Sequence, residues 1–425
     1  WLVDSLLGEE APGSRRLLML PKDGFNEDAL ASFAGDPRFS LFALERAYAK
    51  AVYPAFLPTT VDDNNYRSAG HQFDEPKARL RAFWMQAWPH IQSRARVAAV
   101  LTGNFGYHAE QELAAAVAAS GVPFIAMHKE AMKTPGRQEW YERIYRERRQ
   151  PFAGTRVLAY NRLERDIQVN AGSITPDRIT ICGMPRLDRL HAWRRAAAAG
   201  KARAGDGRPR VVMFSFHPKT GLPMISRKDR APGAARMEQI EGDLGDLAWT
   251  EVWAGFHETA VRLARENPDI EVVIKAKENL PKWLHLTSGQ KLEFPTLPNL
   301  RVVVGGDPHD LIASASVVCG FISTALLECL AAGKHVVVPR FGETRDPRVQ
   351  AYLLDLGTAV EYVGSTDALY DALRSGARRD PKPAAELSAE AIRQLDHWGG
   401  NSDGQSGARV AEAVQREITA VARAA

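Results

Sequence analysis

The chain has 425 residues, of which 45% are hydrophobic and 25% are charged, and its formal net charge is +4. This length is too great for one ordinary domain, so two domains with full cores are expected. The mildly basic balance suits an anionic ligand or a membrane surface without requiring nucleic acid, and no apolar stretch approaches the ~18 residues that would span a bilayer.

The three cysteines, Cys182, Cys319 and Cys329, lie in or beside apolar runs and have no paired spacing. This pattern predicts buried thiols in a reducing compartment and does not fit a zinc site. The sequence begins at Trp1 rather than Met. We therefore expect an excised or trimmed piece, in which an upstream targeting segment or domain would not be seen.

The first half shows short apolar runs that alternate with helical spacing. Strands are predicted at residues 16–20, 39–44, 97–101, 122–127, 157–160 and 179–182. Helices are predicted at residues 26–33, 78–96, 109–119 and 138–149, and the run at 39–44 is also compatible with a helix that continues through Tyr48. Asp62 and Asp63 lie in a polar loop, where a solvated loop is favoured over a metal site.

A change in composition separates the two halves. Residues 194–210 are rich in Ala, Gly and Arg, which predicts a linker. In the second half, strands are predicted at residues 211–216, 270–274, 300–304, 336–338 and 359–363, with another before Gly320. Helices are predicted at residues 249–266, 366–373, 385–395 and 407–424.

Strands that are continuously Val- and Ile-rich and alternate with helices predict parallel sheets with both faces covered. The predicted fold class is therefore α/β, with two Rossmann-like domains and the ligand in the cleft between them. The domains are expected at residues 1–200 and 201–400. No G-x-G-x-x-G, P-loop or G-x-S-x-G motif follows a strand, which argues against an ordinary dehydrogenase, NTPase or α/β-hydrolase.

The stretch at residues 317–328 joins an apolar run to the start of a helical pattern. Gly320 ends the run, and Ser323 or Thr324 is a natural N-cap that leaves N–H groups facing outward. A strand that leads into such a helix start predicts a phosphate site, and Glu328, about one turn further on, is placed to reach a ribose hydroxyl. An ordinary β-α-β unit whose hydroxyls only cap the helix fits the pattern equally well.

This layout resembles a GT-B glycosyltransferase, with the acceptor half first, the nucleotide-sugar half second, and a last helix, here residues 401–425, that crosses back to the first half. Residues 323–334 are similar to the nucleotide-binding turn of those enzymes, and residues 305–311 to the loop that cups the base. A narrower resemblance is to the retaining β-Kdo transferase modules of O-antigen and capsule assembly. It rests on four short motifs in order: His128-Lys129-Glu130, Gly183-Met184-Pro185-Arg186-Leu187-Asp188, Phe214-Ser215-Phe216-His217 and Val273-Ile274-Lys275-Ala276-Lys277.

The resemblance implies roles for the first half's polar residues at strand ends. Asp188 would be the nucleophile, although a helix N-terminal Asp that complements the dipole is common. Glu130 would be the acid/base, with a salt bridge to a neighbouring cation as the alternative. Arg186 and Asn104 are candidates for contacts with the sugar carboxylate or the acceptor.

The second half would supply the donor site. His217 would donate to the leaving phosphate or to the sugar carboxylate, with a structural loop histidine as the alternative. Lys275 and Lys277 alternate along one strand and so point the same way, which suits a phosphate or carboxylate. Lys277 stands where the commoner capsule pattern Lys-x-His-Pro has histidine, so the phosphate ligands are the less defined part of the resemblance.

The expected activity is transfer of Kdo from CMP-β-Kdo, with retention, to a bacterial surface polysaccharide or lipid-linked glycan. No cofactor or metal is expected beyond the donor, and nucleic acid is not an expected partner. The expected location is the cytoplasm. The basic helix at 137–149 is interpreted as a solvated face. Contact with the inner face of the inner membrane, and with other polysaccharide-assembly enzymes, is left open. The alternatives are another nucleotide-sugar enzyme, such as a UDP-sugar transferase or a 2-epimerase, and an inactive glycan-binding module.

Overall fold

The computed structural model describes residues 12–63, 66, 73–129, 132–147, 151–202, 207–223, 247–276, 295–380 and 382–424. Two predicted site residues, Glu130 and Lys277, lie outside the described residues.

The first half forms a six-stranded parallel sheet in the order β2-β1-β3-β4-β5-β6. Its strands are β1 (Arg15–Met19), β2 (Phe39–Ala43), β3 (Val97–Thr102), β4 (Phe124–Met127), β5 (Arg156–Ala159) and β6 (Ile179–Ile181). Its helices are α1 (Phe25–Phe33), α2 (Arg46–Val52), α3 (Asp74–Ala95), α4 (His108–Ala119), α5 (Pro135–Glu147), α6 (Arg162–Asn170) and α7 (Arg186–Ala198). Separate apolar clusters cover the two faces of this sheet, which is why its strands read as continuous apolar runs.

The second half forms another six-stranded parallel sheet, in the order β12-β11-β10-β7-β8-β9. Its strands are β7 (Arg210–Phe214), β8 (Glu271–Ala276), β9 (Leu300–Val304), β10 (Val317–Cys319), β11 (His335–Pro339) and β12 (Glu361–Val363). The helices that follow are α8 (Thr250–Glu266), α9 (His309–Ser314), α10 (Ala325–Ala331), α11 (Thr366–Ala377), α12 (Ala389–Gln394) and α13 (Ser406–Ala424). The predicted α/β class with two Rossmann-like sheets, as in a GT-B fold, is confirmed.

Each sheet has one point at which the strand order reverses. In the first sheet it lies between β1 and β3, and in the second between β7 and β10. Ligands of open parallel sheets bind outside the carboxyl ends of the strands at such a switch point. The topology therefore marks two crevices, one in each half.

The two halves share packing. Leu187 and Leu190 of α7 belong to the same apolar cluster as the core strands of the second sheet. In the other direction, α13 packs on the first sheet through residues that include Val410, Val414 and Ile418. All three cysteines are buried and free, as predicted.

The predicted linker at residues 194–210 is wrong in its first part. Residues 194–198 continue α7, where Arg194 is buried and its Nε donates to the carbonyl oxygen of Ala331, 3.1 Å away. Alanine is the best helix former, so an alanine-rich stretch is helical once one face has a partner. Among the described helices, α6, α7 and α9 were not predicted, and α2 was allowed only as an alternative to the strand at 39–44.

Gly183 gives a test of how tightly α13 is attached. Its φ is +84°, and an added Cβ would overlap Ser406 Oγ and the carbonyl oxygen of Gly400. Gly172 has φ +72° and no atom within 4 Å of the same position, so it isolates the cost of backbone strain. We expect Gly172→Ala to cost about 1–2 kcal/mol and Gly183→Ala to cost about 2 kcal/mol more, because atoms must move apart. Urea unfolding measures both, and equal losses would contradict the close contact.

Candidate functional site

Arg186, at the start of α7, makes a two-pronged ion pair with a buried carboxylate of α1. Its Nε lies 3.0 Å from Asp28 Oδ1 and its Nη2 lies 2.8 Å from Asp28 Oδ2. The Tyr160 hydroxyl, at the end of β5, donates to the same carboxylate and accepts from Arg186 Nη2 at 3.0 Å. Asp28 is only 1% exposed, so the pair compensates a charge that water does not reach.

Glu328 of α10 brings a second carboxyl group to Arg186, from the other sheet. This side chain is 8% exposed, and burial raises the pKa of Glu328 to about 7, while the Arg186 charge opposes that rise. Within the described part of the chain, no donor makes a hydrogen bond to its carboxyl oxygens. A buried carboxyl with unused acceptors is a candidate ligand for hydroxyl groups.

A second contact across the halves fixes the same helix. Arg189 Nη1 of α7 lies 2.6 Å from Asp307 Oδ2, in the loop that follows β9. Together with the Glu328 charge, this contact places the start of α7 near the carboxyl ends of the second sheet's strands, while the Arg194 bond lies further along, at the end of α10. The polar groups at the ends of both sheets therefore meet at α7.

The switch point of the second sheet brings two predicted residues into neighbouring loops. His217 follows β7 and Ser323 follows β10, and the rings of Phe216 and Phe321 beside them are 5.1 Å apart. His217 Nδ1 accepts from the backbone N–H of Lys219 at 3.0 Å, so in the neutral tautomer Nε2 carries the proton. Burial, and then the charge of Lys219, lower the pKa of His217, which leaves a neutral N–H donor at neutral pH.

The predicted turn after β10 is closely packed. Ser323 Oγ accepts from the N–H of Ala325 at 3.2 Å, whereas the Thr324 side chain makes no capping hydrogen bond. An added Cβ at Gly320 would lie 2.8 Å from a methyl of Leu326, so a larger residue there would require that side chain to move. The helix that follows has seven residues, so its dipole is short. The role of these three residues in phosphate binding stays a prediction.

Lys275 is more buried than its predicted role requires. It is 8% exposed, its Nζ donates to the carbonyl oxygen of Gly305, and burial lowers the pKa of Lys275. This bond ties β8 to the loop after β9. Contact with a phosphate or a sugar carboxylate stays a prediction for this side chain.

The Asp188 carboxylate is hydrogen-bonded to the chain's last segment. Its Oδ1 accepts from Asn401 Nδ2 at 2.7 Å and from the Ser406 N–H at 3.1 Å, and its Oδ2 accepts from the Gly407 N–H at 2.7 Å. Two of these donors are backbone N–H groups in the first turn of α13. Asp188 thus satisfies the start of that helix, and this bonding accounts for its position without a sugar.

The motif that begins at His128 lies beside a fully buried cluster. His128 Nε2 lies 2.8 Å from Glu164 Oε1, and Lys133 Nζ donates to Glu164 Oε2. Burial favours the neutral form, but Lys133 and His128 hold the pKa of Glu164 at about 2. Because His128 and Glu164 are both fully buried, this cluster supports the core. The predicted Glu130 site lies outside the described residues.

Asn104 closes a turn after β3, at the switch point of the first sheet. Its Oδ1 accepts from the Gly106 N–H at 2.9 Å, which stabilises the turn. Asp28 and Tyr160 were missed by sequence reasoning. An acidic residue on the apolar face of the helix at 25–33 was the available signal for Asp28.

None of the helices in the described part of the chain combines the length and apolarity that a bilayer crossing requires. No protein-family model and no curated protein matches the sequence.

Similarity is found among solved structures. A UDP-N-acetylglucosamine 2-epimerase from Listeria monocytogenes, described as putative, shares 10% identity at TM-score 0.48, covering 95% of this chain and 97% of that one. A glycotransferase of kitacinnamycin shares 15% identity at TM-score 0.45, covering 96% and 99%. The wall teichoic acid polymerase TagF shares 11% identity at TM-score 0.41, covering 76% and 72%. At these identities the likeness concerns the fold alone.

The raised pKa of Glu328 predicts a pH-dependent contribution to stability. The group holds its proton to about pH 7 in the folded protein, against an ordinary value of 4.5. The stability that the protonated group contributes is therefore complete below pH 4.5 and is lost as the pH rises through 7. Glu328→Gln removes this dependence, so the variant should gain stability relative to the wild type between about pH 5 and pH 8, by at most about 3 kcal/mol.

Thermal unfolding across that pH range measures the difference. Glu386→Gln, at an exposed carboxylate, is the matched control and should track the wild type. A Glu328→Gln curve that stays parallel to the wild type would show that the carboxyl is not held protonated.

Proposed function

We propose that this chain is a glycosyltransferase that uses a nucleotide sugar, with its donor at the switch point of the second sheet. The observation that carries the proposal is the meeting of the two sheets at α7, where Glu328 of one half lies buried beside Arg186 of the other. A transferase must bring two substrates together and exclude water from the reacting centre. Two parallel sheets whose switch-point crevices adjoin one polar junction supply that arrangement.

In this proposal, the donor nucleotide lies across the loops after β7 and β10. His217 offers an N–H donor and Ser323 a hydroxyl to the phosphate, because their loops pack against each other through Phe216 and Phe321. Glu328 offers a ribose a buried carboxyl group that receives no hydrogen bond from the described residues. Lys275, whose ammonium donates to Gly305 in the loop that follows β9, adds a positive charge that favours the developing negative charge. No metal is assigned a role.

The finer proposal is that the donor is CMP-Kdo and that transfer proceeds with retention through a sugar ester on Asp188. It is supported by the order of the four motifs shared with β-Kdo transferase modules. In that step the Asp188 oxygen bonds to the anomeric carbon as the bond to CMP breaks. An acceptor hydroxyl, deprotonated by Glu130, then displaces the carboxylate.

A nucleotide panel tests the donor. CMP is expected to raise the thermal midpoint of the wild type more than UDP does, because a ligand that binds only the folded state stabilises it. His217→Gln and Ser323→Ala should each weaken CMP binding about tenfold, as expected for one hydrogen bond to a charged group. Ser375→Ala is the control, because Ser375 lies at the edge of the second sheet opposite the proposed donor site. The next residue, Gly376, adjoins Val317 and His335 at the amino ends of β10 and β11.

The outcomes separate the alternatives. Equal shifts with UDP and CMP would remove the Kdo donor and favour a UDP-sugar enzyme, and no shift with either would remove the transferase proposal. Binding of CMP-Kdo without transfer or hydrolysis would indicate an inactive glycan-binding module.

Asp188 is tested by variants that separate its two roles. Asp188→Ala leaves three donors without an acceptor and should destabilise the fold by about 1–3 kcal/mol. Asp188→Asn keeps an acceptor oxygen and should cost less, but it removes the nucleophile. If the proposal holds, Asp188→Asn abolishes Kdo transfer while CMP binding stays. Transfer at a wild-type rate by the folded Asp188→Asn protein would leave the carboxylate a purely structural role.

A further inference from the structure

We propose that the switch point of the first sheet binds an anionic group, a phosphate or a carboxylate, on the acceptor glycan. The cations that would hold it are Lys22 and Lys129, supported by Arg46. This inference rests on the proposed transferase function, because it assigns the acceptor to the crevice that the donor does not occupy.

The position follows from the topology. Lys22 lies in the turn directly after β1, and Lys129 lies just after β4. The strand order reverses between β1 and β3, so Lys22 stands at the edge of the crevice in which open parallel sheets bind ligands. Neither lysine was predicted as a site residue.

The cations form two pairs, one at the Tyr107 ring and one on either side of Gly24 in the turn that Lys22 begins. Lys22 Nζ is 4.6 Å from the centre of the Tyr107 ring, and the Arg46 guanidinium is 4.2 Å from the centre of the same ring. Gly24 lies between two more cations, because a Cβ built on it would be 3.6 Å from Lys129 Cδ and 3.5 Å from Arg186 Nη2. The absence of a side chain at Gly24 leaves the space between those two groups open.

Several carboxylates near these lysines already pair with other groups. Arg46 Nε pairs with buried Glu110 Oε1 at 2.6 Å, and Arg186 pairs with Asp28. Asp63 Oδ1 lies 2.6 Å from His108 Nδ1. Among the described residues, no carboxylate forms an ion pair with Lys22 or Lys129, and the Lys129 ammonium donates to the carbonyl oxygen of Asp23 at 3.0 Å.

The positive charges of this region act on one another. Burial, and then the charges of Arg46 and Lys129, lower the pKa of Lys22, and Asp63 opposes them. A half-buried ammonium group beside two other cations is an arrangement that an anion would relieve, because like charges close together disfavour the charged form.

The test uses three sugars of similar size and different charge. Glucose 6-phosphate and glucuronate carry the two anionic groups, and glucose carries neither, so binding of each is measured by calorimetry. We expect the wild type to bind one or both charged sugars at least about tenfold more tightly than glucose, and Lys22→Gln and Lys129→Gln each to lose about tenfold in that affinity. Lys22→Arg should retain most of it, and Lys382→Gln, at an exposed lysine of the other half, should change nothing.

The result for each sugar identifies the anion, since preference for glucose 6-phosphate indicates a phosphate and preference for glucuronate a carboxylate. Charged sugars that bind no better than glucose, or that bind folded Lys22→Gln and Lys129→Gln as well as the wild type, would overturn the proposal. The CMP shift, measured in the same samples, reports separately on the donor site. A third result is charged-sugar binding that depends on the two lysines but no response to any nucleotide. In that case the anion site stands, and its role in binding an acceptor is lost because the proposed transferase function has failed.

Discussion

The ion pair between Arg186 and Asp28 is the constraint on which the arrangement of the two halves depends. Asp28 is almost fully buried, and its two oxygens receive the Arg186 fork and the Tyr160 hydroxyl. Removal of either charge would leave the other buried and uncompensated, which is far more costly than loss of an exposed pair. The start of α7 is therefore fixed against α1 and the end of β5, and the direction of α7 fixes where Arg189 and Arg194 reach the second half.

The same short segment also attaches the end of the chain. Three residues before Arg186, Gly183 allows the backbone to approach Gly400, and two residues after it Asp188 binds the first turn of α13. The segment from 183 to 188 thus contacts α1, the second sheet and the last helix within two turns of chain. In the sequence, this short motif suggests a catalytic role because it combines particular residue types in a fixed order. In the structure, much of that specificity is explained by packing and hydrogen bonding.

Much of the fold follows from the sequence because the strands are buried on both faces and therefore form uninterrupted apolar runs. The prediction failed where burial involves polar side chains. Helix α7 buries His191 and Arg194, so its apolar pattern is weak, and its alanines resembled a linker. The places of His217 and Ser323 after predicted strands could be read from the order of elements alone, whereas their role in binding stays a prediction. For Asp28 the sequence offered only its place on the apolar face of a helix, because its partner Arg186 lies 158 residues away in the sequence.

The charges at the junction bear on how a sugar carboxylate would bind. Arg186 was predicted as its partner, but the guanidinium already holds Asp28 and faces Glu328. A ligand that displaced Asp28 would leave that buried carboxylate unpaired, so a carboxylate can only add to the existing pair. Lys22 and Lys129 have no such commitment to a carboxylate among the described residues, and Lys129 lies beside Arg186 across Gly24. An anionic ligand at this junction would therefore take most of its new stabilisation from the lysines, with Arg186 contributing charge but keeping its structural partner.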